Sequence, residues 1–131
     1  MSRKKRPFLV ERGDVFMADL GSEEDVVGSE QYGVRPVVVT QCNRQNENSP
    51  TIIVAIITSK IKKEKMDYHV ILPKIKGLPK QSMVCCEQRR TIDKLRLIRY
   101  CCTLNDEIMK EVTRACHKVE EADRQAESRR W

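Results

Sequence analysis

The feature that most constrains the fold is an apolar run, Thr51–Thr58, in which every residue except Ala55 is β-branched. Such a run is typical of a central strand that is buried on both faces of a sheet. It is far shorter than the roughly 20 residues that a membrane-spanning helix needs. We therefore expect the rest of the chain to pack around this strand.

Other segments predict further strands around the central one. Residues 15–20 follow a Gly-Asp turn pair, and residues 35–40 follow a loop bracketed by Gly28 and Gly33. Residues 42–50 are rich in Asn, Gln and Ser and predict a turn. Shorter strands are expected at His69–Leu72, 82–87, 91–92 and 97–104. The sum is a small, mostly antiparallel β-barrel.

The C-terminal part of the sequence changes to a helical period. Asn105 is a good N-cap, and Asp106 and Glu107 suit the first turn of a helix. The apolar face that follows consists of Ile108, Met109, Val112, Ala115, Cys116 and Val119. This pattern ends near Asp123, so we expect one helix to close the barrel, in a mainly β (α+β) fold.

A chain of 131 residues is the size of one domain with one core. We expect this domain to span residues 12–122, between a basic arm at 1–11 and a polar tail at 123–131. No apolar stretch near the N-terminus is long enough for an export signal. The expected location is therefore the cytoplasm, without a membrane partner.

The net charge of +6 is concentrated between Lys60 and Arg99, with seven lysines and two carboxylates between residues 60 and 80. A polyanion is a natural partner for such a surface. A lysine-rich loop exposed to water explains the charge equally well, because charge patterning alone says little about partners.

The six cysteines do not predict disulfides or a zinc site. They form two vicinal pairs and no C-x-x-C motif, whereas structural zinc sites use ligand pairs spaced by two to four residues. We expect free thiols, with one of each vicinal pair facing the core. No metal ion and no cofactor are expected.

Familiar catalytic constellations are scarce. The only histidines, His69 and His117, suit structural or solvated positions better than catalysis. The remaining candidates are polar residues at strand ends, above all Arg35 and Thr58. On the residue pattern alone, the structural alternative is favoured: Arg35 pairs with a surface carboxylate and Thr58 caps a loop.

Several motifs, in their order and spacing, resemble the MazF/PemK-type toxins, which are sequence-specific mRNA interferases of type II toxin–antitoxin systems. The resemblance runs from about Arg12 to about Val119. The motifs are Arg12-Gly13-Asp14-Val15, Ala18-Asp19-Leu20, Gly28-Ser29-Glu30-Gln31, Gly33-Val34-Arg35-Pro36, Ala55-Ile56-Ile57-Thr58-Ser59, Glu87-Gln88 and Arg90-Thr91-Ile92-Asp93-Lys94.

The resemblance implies an SH3-like barrel with a C-terminal helix, working as a homodimer and bound by a cognate antitoxin of the MazE type. It implies metal-independent cleavage of single-stranded RNA, in which the 2′-hydroxyl attacks the adjacent phosphate to give 2′,3′-cyclic phosphate and 5′-hydroxyl ends. Arg35 and Thr58 become the catalytic pair. The residues expected to bind RNA are Ser29, Glu30, Gln31, Ser59, Lys60, Glu87 and Gln88, with the basic loop 60–65 holding phosphates.

Two departures from the family pattern lie in the loop expected to shape the RNA groove. The acidic stretch 21–27 lengthens it, and Tyr32 stands where a second glycine is common. One alternative keeps the fold and changes the activity: CcdB-like toxins share this architecture but bind DNA gyrase without cutting RNA. A non-catalytic RNA-binding barrel is the third possibility.

Overall fold

A computed structural model of the chain describes residues 9–25, 31–61, 66–78 and 80–130. Within them the chain forms six strands and two α-helices, with one-turn 3₁₀ helices at Glu23–Asp25 and Lys94–Arg96. The elements are β1 (Asp14–Asp19), β2 (Val34–Val39), α1 (Asn43–Asn48), β3 (Thr51–Thr58), β4 (His69–Leu72), β5 (Ser82–Asp93), β6 (Leu97–Thr103) and α2 (Asp106–Arg130). None of the helices in the described part is long and apolar enough to cross a membrane.

The strands form one antiparallel sheet in the order β4-β5-β3-β2-β1-β6. The two edges of the sheet approach each other, because the turn at Gly77 lies against the carbonyl oxygen of Cys101 in β6. The mainly β class, the antiparallel barrel and the C-terminal helix are thus confirmed.

The central strand β3 separates two apolar clusters. Ile57 points into one cluster, which α2 covers with Met109 and Val112. Ile56 points into the other, together with Val37 of β2. All four of the apolar side chains Val54–Ile57 are almost inaccessible to water, as the sequence predicted for a strand buried on both faces.

Three predictions about local structure were wrong. Residues 42–50 contain the short helix α1, held by the fully buried Asn46, whose amide nitrogen donates to the Gln41 carbonyl at 3.0 Å. The two strands expected at 82–87 and 91–92 are one strand, because β5 pairs with β3 along its length and absorbs an irregularity opposite Ala55 and Ile56. Helix α2 continues to Arg130, beyond the end of its apolar pattern.

The start of α2 follows the sequence prediction. The Asn105 side-chain oxygen accepts a hydrogen bond from the Ile108 N–H at 2.9 Å, as an N-cap does. All six cysteines are free, as expected. We expected one cysteine of each vicinal pair to face the core. In the first pair both Cys85 and Cys86 are buried, which is one more than expected.

Candidate active site

The pairing of β2 with β3 brings Arg35 and Thr58 to the same end of the sheet. Val37 lies opposite Ile56, and both side chains belong to the same apolar cluster. Arg35 lies two residues before Val37, and Thr58 lies two residues after Ile56. Because the strands are antiparallel and side chains alternate along each of them, both residues lie toward the same end and project from that same face. The two residues are 23 positions apart in the chain and become neighbours through strand register.

Arg35 and Thr58 line one groove of about 300 Å³. Its polar lining also includes Ser59 and Ser82, and its cationic lining includes Lys80 and Arg99. Four segments of the barrel contribute these residues, namely β2, the end of β3, residues 80–82 and β6, so the groove exists only in the folded chain. Three cationic side chains around one small groove make it suited to an anion.

Hydrogen bonds to the backbone orient both central residues. Arg35 donates from Nε to the Tyr32 carbonyl at 3.0 Å, which leaves its Nη groups out of that bond. Thr58 Oγ1 accepts from the Lys60 N–H at 3.0 Å, so the hydroxyl hydrogen is not used there. Within the described part of the chain, the Arg35 Nη groups and the Thr58 hydroxyl hydrogen make no further hydrogen bond, so both residues can donate to a phosphate oxygen.

The structural alternative is met for Thr58, whose side chain does cap the turn that follows β3. It is not met for Arg35 among the described carboxylates, since neither of the ion pairs found there involves this residue. The capping bond and a phosphate contact are compatible, because the hydroxyl can accept one hydrogen bond and donate another.

The other residues predicted to bind RNA are spread more widely. Ser59 lines the groove, and the exposed Lys60 follows it. The Gln31 carbonyl accepts a hydrogen bond from Arg90 at 3.2 Å. Glu87 and Gln88 lie further along β5 and do not line the groove. Ser29, Glu30 and residues 62–65 of the basic loop lie outside the described residues.

Sequence reasoning missed Lys80 and Arg99 as site residues. Lys80 lies just before β5 and Arg99 lies on β6, at the edge of the sheet beyond β1. Their only signal in the sequence was the excess of positive charge between residues 60 and 99. That excess predicts a basic surface, but it does not identify which of the basic residues line the groove with Arg35.

His69 is a largely buried side chain that contacts a carboxylate. Its ring nitrogen Nε2 lies 2.8 Å from a carboxylate oxygen of Glu87, and its side chain is only 6% exposed. Next to it, burial and the charge of Glu87 raise the pKa of the Cys85 thiol to about 11. Neither histidine lines the groove with Arg35 and Thr58.

The chain is thus a small antiparallel barrel with a C-terminal helix and a groove lined by three cationic side chains. Residues 11–119 match the family of PemK-like, MazF-like toxins of type II toxin–antitoxin systems. The chain is 48% identical over 108 residues to the endoribonuclease MazF of Staphylococcus saprophyticus, an alignment covering 82% of this chain and 88% of that protein. The chain therefore belongs to the PemK-like, MazF-like toxin family.

Solved structures agree with this fold. MazF from Deinococcus radiodurans superposes with a TM-score of 0.72 at 19% identity, covering 86% of this chain and 96% of that one. An endoribonuclease in complex with its cognate antitoxin, from a mycobacterial species, superposes with a TM-score of 0.69 at 19% identity, covering 83% and 92% of the two chains. The predicted family is confirmed, and these comparisons give no support to the CcdB-like alternative.

Proposed function

We propose that this endoribonuclease toxin cleaves single-stranded RNA, at specific sequences and without a metal ion, in the groove that Arg35 and Thr58 line. The observation that carries the proposal is the convergence of these two residues with Lys80 and Arg99 around one small groove. A single phosphodiester, with its charge and its several acceptor oxygens, fits that set of donors.

In the proposed reaction the nucleophile belongs to the RNA. The 2′-hydroxyl loses its proton and attacks the adjacent phosphorus, and the 5′-oxygen of the next nucleotide leaves and gains a proton. The products are a 2′,3′-cyclic phosphate and a 5′-hydroxyl. No serine or cysteine nucleophile is required, which agrees with a groove whose reactive groups are hydrogen-bond donors.

Arg35 and Thr58 act on the charge that develops at the phosphate. An arginine side chain does not readily lose its proton, so Arg35 stabilises the transition state through its paired N–H donors. Its Nε bond to the Tyr32 carbonyl fixes the plane of the guanidinium before RNA arrives. Thr58 donates its hydroxyl hydrogen to the same phosphate while the Lys60 N–H holds its oxygen in place.

The RNA backbone is held in the groove and beside it. Ser59 and Lys60, together with Lys80 and Arg99, are placed to bind backbone phosphates. Base edges are read by amide and carboxylate side chains, which suit the exposed edges of unstacked bases. The residues assigned to this role are Ser29, Glu30, Gln31, Glu87 and Gln88.

The toxin acts in the cytoplasm as a homodimer and is inhibited by an antitoxin of the MazE type. Exposed apolar side chains on β6 and the turn before it, Ile98, Tyr100 and Leu95, support a protein interface there. The cationic groove suits an acidic antitoxin segment as well as it suits RNA. The functional domain spans residues 12–122, within which all of these groups lie.

Incubation of the purified protein with a long RNA in excess EDTA tests the reaction. We expect discrete fragments whose ends are 2′,3′-cyclic phosphates and 5′-hydroxyls, at a recurring short sequence. Mapping the ends on one RNA identifies that sequence. Intact RNA together with arrest of DNA gyrase would overturn the proposal in favour of a gyrase-binding toxin.

A further inference from the structure

Three side chains of metal-ligating type meet on one face of β4 and β5. His69 is paired directly with Cys85 across the two strands, and Glu87 lies two residues further along β5. Residues in these relative positions project from the same face of a sheet as close neighbours. One nitrogen of His69, the sulfur of Cys85 and one carboxylate oxygen of Glu87 all lie within 4.8 Å of one another.

The geometry of this cluster is set by the sheet rather than by a loop. The His69 side chain is 6% exposed and Cys85 is equally buried, whereas the Glu87 side chain is 31% exposed. The His69 ring also packs edge-on against the ring of Tyr68, with centroids 5.2 Å apart. His69 and Cys85 are thus fixed by packing, whereas the cluster is open to water at Glu87.

We propose that His69, Cys85 and Glu87 bind a divalent transition-metal ion of the zinc type, with water as the fourth ligand. A thiolate, an imidazole and a carboxylate together favour Zn²⁺ over Mg²⁺ or Ca²⁺, which prefer all-oxygen ligand sets. On binding, the Cys85 thiol releases its proton to the solvent and the metal takes the place of the contact between His69 and Glu87.

The three ligand atoms, all within 4.8 Å of one another, need shifts of about 1 Å or less to surround one tetrahedral ion. Two ligand atoms of one tetrahedral zinc lie roughly 3.3–3.7 Å apart, given Zn–N and Zn–S bonds of about 2.0–2.3 Å. His69 Nε2 and the Glu87 oxygen, now 2.8 Å apart, need to separate only slightly. Cysteine spacing along the chain predicts no zinc site, because such spacing does not reveal ligands that meet across strands.

This site goes beyond RNA cleavage and lies outside the proposed cleavage groove, and it shares one residue, Glu87, with those proposed to read bases. None of its three residues lines the groove with Arg35 and Thr58. RNA cleavage in EDTA therefore does not test the metal site. The metal proposal is tested by measurements of metal binding alone.

Titration of the metal-free, full-length protein with Co²⁺ tests the site, because cobalt reports its ligands by absorption. We expect a single site per chain, a near-ultraviolet band from thiolate coordination, and loss of the spectrum when Zn²⁺ is added. Cys85→Ser should abolish the thiolate band. Cys101→Ser, at a partly buried cysteine on β6, is the matched control and should keep it.

A second set of variants keeps the test decisive if Cys85→Ser does not fold. Glu87→Gln and His69→Gln should each weaken Zn²⁺ binding by at least about tenfold, as judged by competition with a chromophoric chelator. His117→Gln, on the exposed side of α2, is the control for loss of a histidine. The proposal is overturned if folded Glu87 and His69 variants bind zinc like the wild type, or if the thiolate band survives in Cys85→Ser.

Discussion

At the scale of single residues, Arg35 shows how strand register converts an ordinary surface residue into a candidate catalyst. Its side chain is only partly buried and is oriented by the Tyr32 carbonyl rather than by a carboxylate. None of the described carboxylates forms an ion pair with Arg35, so its Nη groups can donate to an incoming phosphate. The same side chain contributes little to the apolar cores, so its removal tests chemistry separately from folding.

We expect Arg35→Ala to remain folded and to cleave RNA about 10²–10³-fold more slowly, the usual effect of removing one donor to a developing anion. Arg44→Ala, at an exposed position on α1, removes the same charge away from the groove and is the control. Single-turnover cleavage rates and circular dichroism spectra are the measurements. A wild-type rate in Arg35→Ala would refute the assignment of this residue.

Gly77 is the glycine on which closure of the barrel depends. Its φ of +100° lies in the region that favours glycine, and a Cβ there would lie 2.2 Å from the Cys101 carbonyl oxygen. Backbone cannot move away as a flexible side chain can. Gly33 makes a useful comparison, because its φ of +79° is similar but no described residue has an atom within 4 Å of its Cβ position.

Gly77→Ala should therefore destabilise the protein by about 3 kcal/mol or more, since strain in the backbone and a steric clash act together. Gly33→Ala should cost only about 1 kcal/mol, from the backbone conformation alone. Urea denaturation followed by circular dichroism gives both values. Equal losses in the two variants would show that the contact with Cys101 does not matter.

At the scale of elements, the strongest sequence patterns predicted the structure best. The bounds of β3 and β4 agree with prediction to the residue, because β-branched apolar runs leave little choice of conformation. The missed helix α1 depends on Asn46, which is buried by contacts with Gln41 and Lys94 from other parts of the fold. A polar sequence gives no local sign that tertiary contacts will bury it.

The site shows the same division. Arg35 and Thr58 were found through family motifs, since polar residues at strand ends are common and by themselves favour a structural interpretation. Lys80 and Arg99 carry no motif, and they reach the groove only through the closure of the sheet and the path of the chain before β5. Cross-strand proximity, which also assembles His69 with Cys85, cannot be read from sequence spacing.

Arg12 connects α2 to the barrel, which explains physically why a motif at this position matters. Its guanidinium donates to the Thr40 carbonyl at 2.7 Å and to the Met109 carbonyl at 3.4 Å, and it also bonds the Thr113 hydroxyl. Thr40 follows β2, whereas the other two partners lie on the helix. A single side chain thus bridges two elements that are about 70 residues apart in the chain.

We expect Arg12→Ala to lower the free energy of unfolding by about 2–3 kcal/mol, because charge-assisted hydrogen bonds are lost and their acceptors stay partly buried. Amide hydrogens near Thr113 should exchange faster than in the wild type. Lys118→Ala, at an exposed position on α2, removes the same charge and should change stability by less than about 0.5 kcal/mol. Similar stabilities of the two variants would contradict the bridging role of Arg12.

At the scale of the whole molecule, the net charge of +6 matters through its position rather than its size. Helix α2 carries acidic residues in its first turn, while the opposite end of the barrel gathers Arg35, Lys80 and Arg99. This asymmetry orients an approaching polyanion toward the groove. Each cationic side chain that neutralises a phosphate releases condensed counterions. The salt dependence of the affinity for RNA should therefore report how many cationic side chains contact phosphates.

The salt dependence of RNA binding measures the number of cationic side chains that contact RNA phosphates. Binding is measured with Thr58→Ala, which we expect to cleave slowly enough for equilibrium measurements. Three groove cations at about 0.7 each then predict that log K falls against log salt concentration with a slope near −2, steeper if the basic loop adds contacts. Adding Lys80→Gln or Arg99→Gln should each make the slope shallower by about 0.7, because one phosphate contact is lost. Lys118→Gln, on the exposed side of α2, should leave the slope unchanged. A flat salt response, or an equal change in the Lys118 control, would mean that the groove does not hold the RNA backbone.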